Sequence, residues 1–496
     1  MKYWFRPATA LVIVTIVVVA GVSSAGASAG SGKAGGRAGA TPRKPGVAAA
    51  TLEGPITVGE ISPPVSAHAL DFATNGYTEE EFFASGTATT YTANGELSSN
   101  GRWKVTPAGT APYKTRFVVR RPQQLSRFNG TVVAEWLNVT VVETDADWSF
   151  TGQALMDEGA AWVGVSAQAL GVVGGQARLS TGTGQEAQYS GGIRTTNPTR
   201  YGSLIHPGDQ YSFDIFSQVA AALRSPGKVP VFGGRRARKI VAAGESQSAG
   251  WLSGYINAFQ PITHAFDGFL VHSRGAGAAQ PDGARPIGGT TAAYWLRTDL
   301  DVPVMVFETE TDVGPRLRYA LAAQPDTRRL RVWETAGTSH ADAYFVGKDS
   351  NLCPGSKVND GPHHYVVSAA MAALLRWVET GKAPAHAPRI QTGGPYGLTV
   401  ARDEHGIALG GIRTPSVDVP VETLSGESKV QSAPLCGLFG SRTDFDSATL
   451  ASLYPTKDAY LAAFDKSLDR AIKKGFIRRQ DRTQYAAEAR AVVFPA

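Results

Sequence analysis

What the chain lacks narrows its chemistry before any motif is read. It has no zinc-type His/Glu spacing, no phosphate-cradling Gly-Lys-Ser/Thr loop and no dinucleotide fingerprint, so neither a metal nor a cofactor is expected. No internal repeat is present, which excludes an array of copied units. The first fifty residues contain no Asp or Glu, yet they hold Lys2, Arg6, Lys33, Arg37, Arg43 and Lys44. Setting those six aside reduces the 48 basic residues to 42, equal to the 42 acidic ones, so the formal charge of +6 belongs to the N-terminal end. A neutral body excludes a nucleic-acid-binding one, which would concentrate basic charge.

Long hydrophobic runs are also missing. The apolar run from Ala10 to Val22 is too short for a comfortable membrane span. It follows a positive start at Lys2 and Arg6, and Ala27-Ser28-Ala29 offers a small-residue cleavage site, so residues 1–29 read as a signal peptide. Secretion is therefore expected, with an uncleaved anchor as the alternative; no Cys follows that could carry a lipid. Residues 30–50 are Gly/Ala-rich and read as a flexible linker, which leaves 51–496 as the folded domain. With only two cysteines in a chain expected to be secreted, one disulfide between Cys353 and Cys436 is the natural pairing, and two free buried thiols are the alternative.

The body that remains alternates β and α signals. Strands are expected at 115–120, 130–136, 161–166, 239–243, 266–271, 302–307 and 330–334, with helices near 150–158, 209–223, 365–380, 456–474 and 480–491. Such alternation predicts an α/β fold, a mostly parallel sheet covered by helices on both faces. Two long Gly/Ala/Thr-rich stretches, 169–208 and 274–300, break the pattern as expected pocket-shaping loops. The extension 384–496 is expected to pack on the core, with Tyr460 and Phe464 as core contacts.

The most informative junction is Gly244-Glu245-Ser246-Gln247-Ser248, which follows the apolar run Lys239-Ile240-Val241-Ala242-Ala243. A β-prone run ending in small-x-Ser-x-small is the sequence form of a nucleophile elbow, where strand and helix backbones nearly touch on either side of an exposed hydroxyl. A second register would make Ser248 the nucleophile; Ser246 is preferred because its turn begins where the apolar run stops. Such a string also arises by chance, as Gly164-Val165-Ser166-Ala167 shows, so partners must decide. They follow in the order nucleophile, acid, base, each in a turn just after a strand: Asp312 after 302–307 and His340 after 330–334. His340 would take the proton from Ser246, and Asp312 would hold the imidazole. Glu308 is the runner-up acid, and Glu310 reads as a solvated loop charge. Among the other histidines, His206, His272, His363 and His364 read as structural or exposed.

Several stretches together resemble a known family. Glu135-Trp136-Leu137-Asn138 flanked by Val139, Trp162-Val163-Gly164-Val165-Ser166-Ala167-Gln168, Tyr201-Gly202-Ser203-Leu204-Ile205-His206-Pro207-Gly208-Asp209, Asn359-Asp360-Gly361-Pro362-His363 and Gly410-Gly411-Ile412-Arg413-Thr414-Pro415 are similar, with the elbow, to the α/β-hydrolase domain family of large secreted bacterial proteins. The resemblance spans roughly 55–496 and implies a serine hydrolase fold with Ser246 and His340 in motif positions. On that reading the backbone N–H of Gln247 and that of Leu137 or Asn138 would form an oxyanion hole. The expected reaction is cleavage of a small or polymeric carboxylic ester without cofactor. Acyl transfer by the same residues and a non-catalytic binding role on the same fold are the rivals. Asn129 and Asn138 also sit in glycosylation sequons.

Overall fold

In the computed structural model the apolar runs become neighbouring strands of one large sheet. The structure describes residues 46–66, 70–175, 191–284, 292–347, 353–430 and 435–494. The expected signal peptide and nearly all of the linker lie outside the described residues. Among the described residues the sheet has nine strands: β1 Thr51–Glu53, β2 Tyr77–Ala93, β3 Val105–Pro122, β4 Thr131–Trp136, β5 Ala161–Val165, β6 Lys239–Glu245, β7 Gly268–His272, β8 Val304–Thr309 and β9 Leu330–Thr335. Their spatial order is β1-β2-β3-β5-β4-β6-β7-β8-β9. From β5 onward every pairing is parallel; β1, β2 and β3 join as an antiparallel wing.

Strands buried on both faces need apolar residues at every position, which is why they read as runs rather than alternations. In β6, Ile240 and Ala242 enter one core with Trp136, Phe213, Phe216 and Trp251, while Val241 and Ala243 enter the other. The first core is covered by α2 (Ser212–Arg224) and α3 (Gln247–Gly254); the second by α1 (Ala146–Glu158) and α5 (His363–Thr380). The connection from β4 runs to β5 on one side, and the chain then returns to place β6 on the other. That reversal opens a crevice at the carboxyl ends of β4 and β6, the place where open α/β sheets hold their chemistry.

Of the antiparallel wing only 115–120, within β3, was expected as a strand; β2, which carries Glu79-Glu80-Glu81, was not. Glu81 is buried and pairs with Arg116 and Arg200, and Glu79 accepts from Arg120 at 2.7 Å. Arg200 also donates to the carbonyls of Ile56, Val58 and Gly59 at 2.8–3.0 Å, tying the N-terminal segment to the wing. Buried guanidiniums demand such partners, because an unpaired charge in this setting costs several kcal/mol.

The extension returns along the core. Ile412 exchanges backbone bonds with Glu334 and Ala336 beside β9, and the two C-terminal helices α6 (Lys457–Lys474) and α7 (Arg482–Ala491) pack on Tyr365 of α5. Tyr460 and Phe464 are buried there, as expected. Cys353 and Cys436 form the disulfide, closing a separation of 83 residues.

Candidate active site

The elbow forms after β6. Ser246 has φ 57° and ψ −114°, a left-handed conformation that costs on the order of 1–3 kcal/mol for a non-glycine residue. The turn holds because Ser246 N donates to His272 O of β7 at 2.8 Å while Gly250 N returns to Ser246 O at 3.1 Å. A Cβ at Gly244 would meet Ser248 and Leu252 at 3.1 Å, so the close approach that calls for small residues is present. Ser248 lies in the first turn of α3, fully buried, its hydroxyl on Gln247 Oε1 at 3.2 Å; the strained, half-buried serine is Ser246.

Three residues distant in sequence meet at this turn. The Ser246 hydroxyl lies 2.7 Å from His340 Nε2, and His340 Nδ1 lies 2.7 Å from Asp312 Oδ1. A carboxylate only accepts, so Nδ1 carries the ring proton and Nε2 is left as the base facing the hydroxyl. The second oxygen of Asp312 accepts from Thr309 N and Thr309 Oγ1, both at 2.7 Å, a capping box that fixes the short helix α4 (Glu310–Val313). Asp312 is therefore locked toward His340. Burial opposes charge on the His340 ring, but the Asp312 and Glu245 carboxylates outweigh it, and the imidazole titrates above its ordinary value.

The neighbouring acids separate by their contacts. Glu308 is fully buried without a hydrogen-bond partner among the described residues, and burial, then the Asp312 charge, pushes its carboxyl well above the usual range. Glu310 corrects the sequence reading. It is no solvated charge: it is 1% exposed and accepts from Gly337 N at 3.0 Å, Gly426 N at 2.9 Å and Arg402 at 2.6 Å. Glu310 thereby joins α4, the turn leading to His340 and the extension. Asn359 does the same from another side, donating to Gly337 O at 3.2 Å and Ser425 O at 3.0 Å.

The oxyanion assignment needs correction on one side. Gln247 opens α3, where an N–H has no intrahelical carbonyl to serve, and its side chain is held by Gln168 at 2.7 Å. Leu137 N, however, donates to Val165 O at 3.3 Å, because the sheet pairing of β4 with β5 continues past Trp136, and Asn138 N donates to Thr144 O at 3.0 Å in a separate antiparallel bridge. Neither N–H is free to receive an oxyanion. The Asn138 side chain is also buried, donating to Glu245 Oε2 at 3.0 Å, which removes it as a surface glycosylation site. Trp136 packs against Trp251 and Phe216 and donates to Gln168 at 3.1 Å.

The remaining histidines sit apart. His206 bonds Ala167 O at 2.9 Å, and burial depresses its basicity. His272 and His363 form a separate buried pair on Asp147. Sequence reasoning gave no role to Glu245 or Asn359 and misjudged the setting of Glu310. Their signal was available: charged or amide residues embedded in otherwise apolar or turn-forming stretches beside the Ser and His positions. Among the described residues no group of His, Cys, Asp and Glu has the arrangement to hold a metal ion, and no helix is long and apolar enough to cross a membrane.

The alpha/beta hydrolase domain family model matches residues 52–487. The chain belongs to that family. Among solved structures it is similar to an α/β serine hydrolase without a lid from Xanthomonas campestris, at 14% identity over 53% of this chain and 86% of that one, with a TM-score of 0.26. A fungal esterase from Rhizomucor miehei matches at 11% identity over 60% and 85%, TM-score 0.30. A glucuronoyl esterase from Solibacter usitatus matches at 9% identity over 58% and 84%, TM-score 0.25. No curated protein matches the chain. The α/β-hydrolase domain thus has esterase-like structural neighbours.

Proposed function

We propose that this α/β-hydrolase domain is a secreted serine esterase that cleaves carboxylic esters through an acyl-enzyme. The single observation carrying the reading is the hydrogen-bonded line from Ser246 through His340 to Asp312, 2.7 Å at each step. In it, the Ser246 oxygen attacks the ester carbonyl while its proton passes to His340 Nε2. Asp312 keeps the ring in the required tautomer and stabilises the imidazolium that forms. The same proton is then delivered to the departing alkoxide, and water repeats the sequence on the acyl-enzyme. The Gln247 N–H, at the positive end of α3, supplies one donor to the oxyanion. The disulfide supports passage through an oxidising compartment, and the leader supports cleavage after Ala29, so N-terminal sequencing of exported protein should begin at Gly30. A panel of p-nitrophenyl esters of increasing acyl length tests the activity. Turnover of at least one ester, abolished in Ser246→Ala with unchanged circular dichroism, is the expected result; equal turnover in both proteins refutes the reading.

A further inference from the structure

A second acidic group lies on the working edge of His340. Glu245, the last residue of β6, places Oε1 3.2 Å from His340 Nε2, beside the Ser246 hydroxyl. Its Oε2 accepts from Asn138 Nδ2 at 3.0 Å, and the same amide reaches the Glu245 carbonyl at 3.1 Å, so the carboxylate is pinned in place. An imidazole lone pair and a carboxylate oxygen are both acceptors, so this contact becomes favourable only when Nε2 carries a proton, as it does once Ser246 has given up its own. The triad chemistry by itself requires no such group.

We propose that Glu245 is a positioning residue for His340, a second carboxylate set against the ring nitrogen that receives the proton of Ser246. The inference rests on the reading of Ser246, His340 and Asp312 given above. When Ser246 attacks, its O–H bond breaks and the proton arrives on Nε2 against a carboxylate already in place, which stabilises the imidazolium until the proton leaves on the alkoxide. When Glu245 holds a proton of its own, that proton occupies the Nε2 lone pair and the base is silenced. Burial pushes the Glu245 carboxyl up to about 7, tempered by His340, which brings this second titration into the working range. The other groups whose charge reaches the pair are Asp312 on α4 and Arg316 just after it, His272 at the end of β7, Asp147 on α1 and His363 at the start of α5.

The test is the pH profile of kcat/KM on a p-nitrophenyl ester, read at the isosbestic wavelength, for the wild type, Glu245→Gln and Glu245→Asp. Each protein is also titrated with a fluorophosphonate and its adduct mapped. Glu245→Gln keeps an acceptor for Asn138 and removes the charge, so the acid limb moves to lower pH by about one unit. Glu245→Asp restores it part of the way. Asn138→Ala, which unpins the carboxylate without removing it, moves the limb in the same direction by less and serves if the Gln variant does not fold. An acid limb that stays put, or moves to higher pH, in variants that are labelled at Ser246 overturns the inference while leaving the triad reading intact. Wild-type enzyme without label at Ser246 overturns both.

Discussion

The protein contains two buried carboxylate–imidazole pairs, and only one of them ends on a serine hydroxyl. In the first, Asp312 holds His340, whose other nitrogen faces the Ser246 hydroxyl. In the second, Asp147 Oδ1 lies 2.9 Å from His272 Nδ1, and His272 Nε2 lies 2.7 Å from His363 Nε2. One central histidine, His272, ends β7 and the other, His340, lies in the turn after β9 of the same sheet, and both are buried. The second line stops in the core: His363 stacks between Phe150 and Phe307, at centroid distances of 4.2 and 5.2 Å. Burial, and then the neighbouring His272, hold His363 well below its ordinary value, so it stays neutral. Its hydrogen bond runs back to another imidazole, with no hydroxyl at the end of the line. The comparison teaches that an Asp–His contact organises a ring, and that the third group, strained and half-exposed, gives the ring a task.

Breaking the third group has the largest expected effect. Ser246→Ala lowers ester turnover by about 10⁶-fold, the scale of nucleophile removal in serine hydrolases. Ser273→Ala, the other strained serine at a strand end, leaves turnover in place. Measured rates that fall alike in both would break the distinction.

The same chemical change in each pair sharpens it. Asp312→Asn lowers kcat by about 10⁴-fold through the wrong ring tautomer, with little loss of stability. Asp147→Asn does the reverse: it weakens a buried pair by about 3–5 kcal/mol, read as a lower denaturant midpoint, and leaves kcat nearly unchanged. Glu308→Gln replaces a carboxyl whose charged form burial already disfavours and changes neither.

Much of this site was legible in the sequence because strand ends are legible. A fully buried parallel strand is an apolar run, and the turn at its end concentrates the Gly, Ser, Asp and His that stand out against it. That logic singled out Ser246, Asp312 and His340, which the fold brings within hydrogen-bonding distance, and placed the strands behind them to within a few residues. It failed where polar residues are buried in partnership. Glu79-Glu80-Glu81 concealed a long strand because its arginine partners lie more than 30 residues away, and Glu310 was read as solvated because Arg402 and Gly426 are more remote still. Leu137 and Asn138 failed for a local reason. The end of β4 was taken to be the end of its pairing, but the ladder with β5 runs one residue further and a bridge to Thr144 consumes the next N–H.

Smaller effects follow from the extension and from pH. Replacing both Cys353 and Cys436 by Ser releases a closure spanning 83 residues, worth about 4–5 kcal/mol on the loop-entropy scale. Thermal unfolding should shift downward, while kcat at low temperature stays close to wild type because Glu310 and Asn359 still hold the His340 turn. The acid limb of kcat/KM should lie above the ordinary imidazole value near ~6.5, since the carboxylates around His340 favour its charged, inactive form. Activity is therefore lost as pH falls through that raised value, and a limb at or below the ordinary value contradicts the assignment.

The most direct test of the central claim is where a fluorophosphonate attaches. Peptide mass spectrometry of the labelled enzyme should find one adduct, on Ser246, formed more slowly when an ester substrate competes and lost in His340→Ala. An adduct on Ser248, or full ester turnover by enzyme that takes no label at Ser246, would contradict the account.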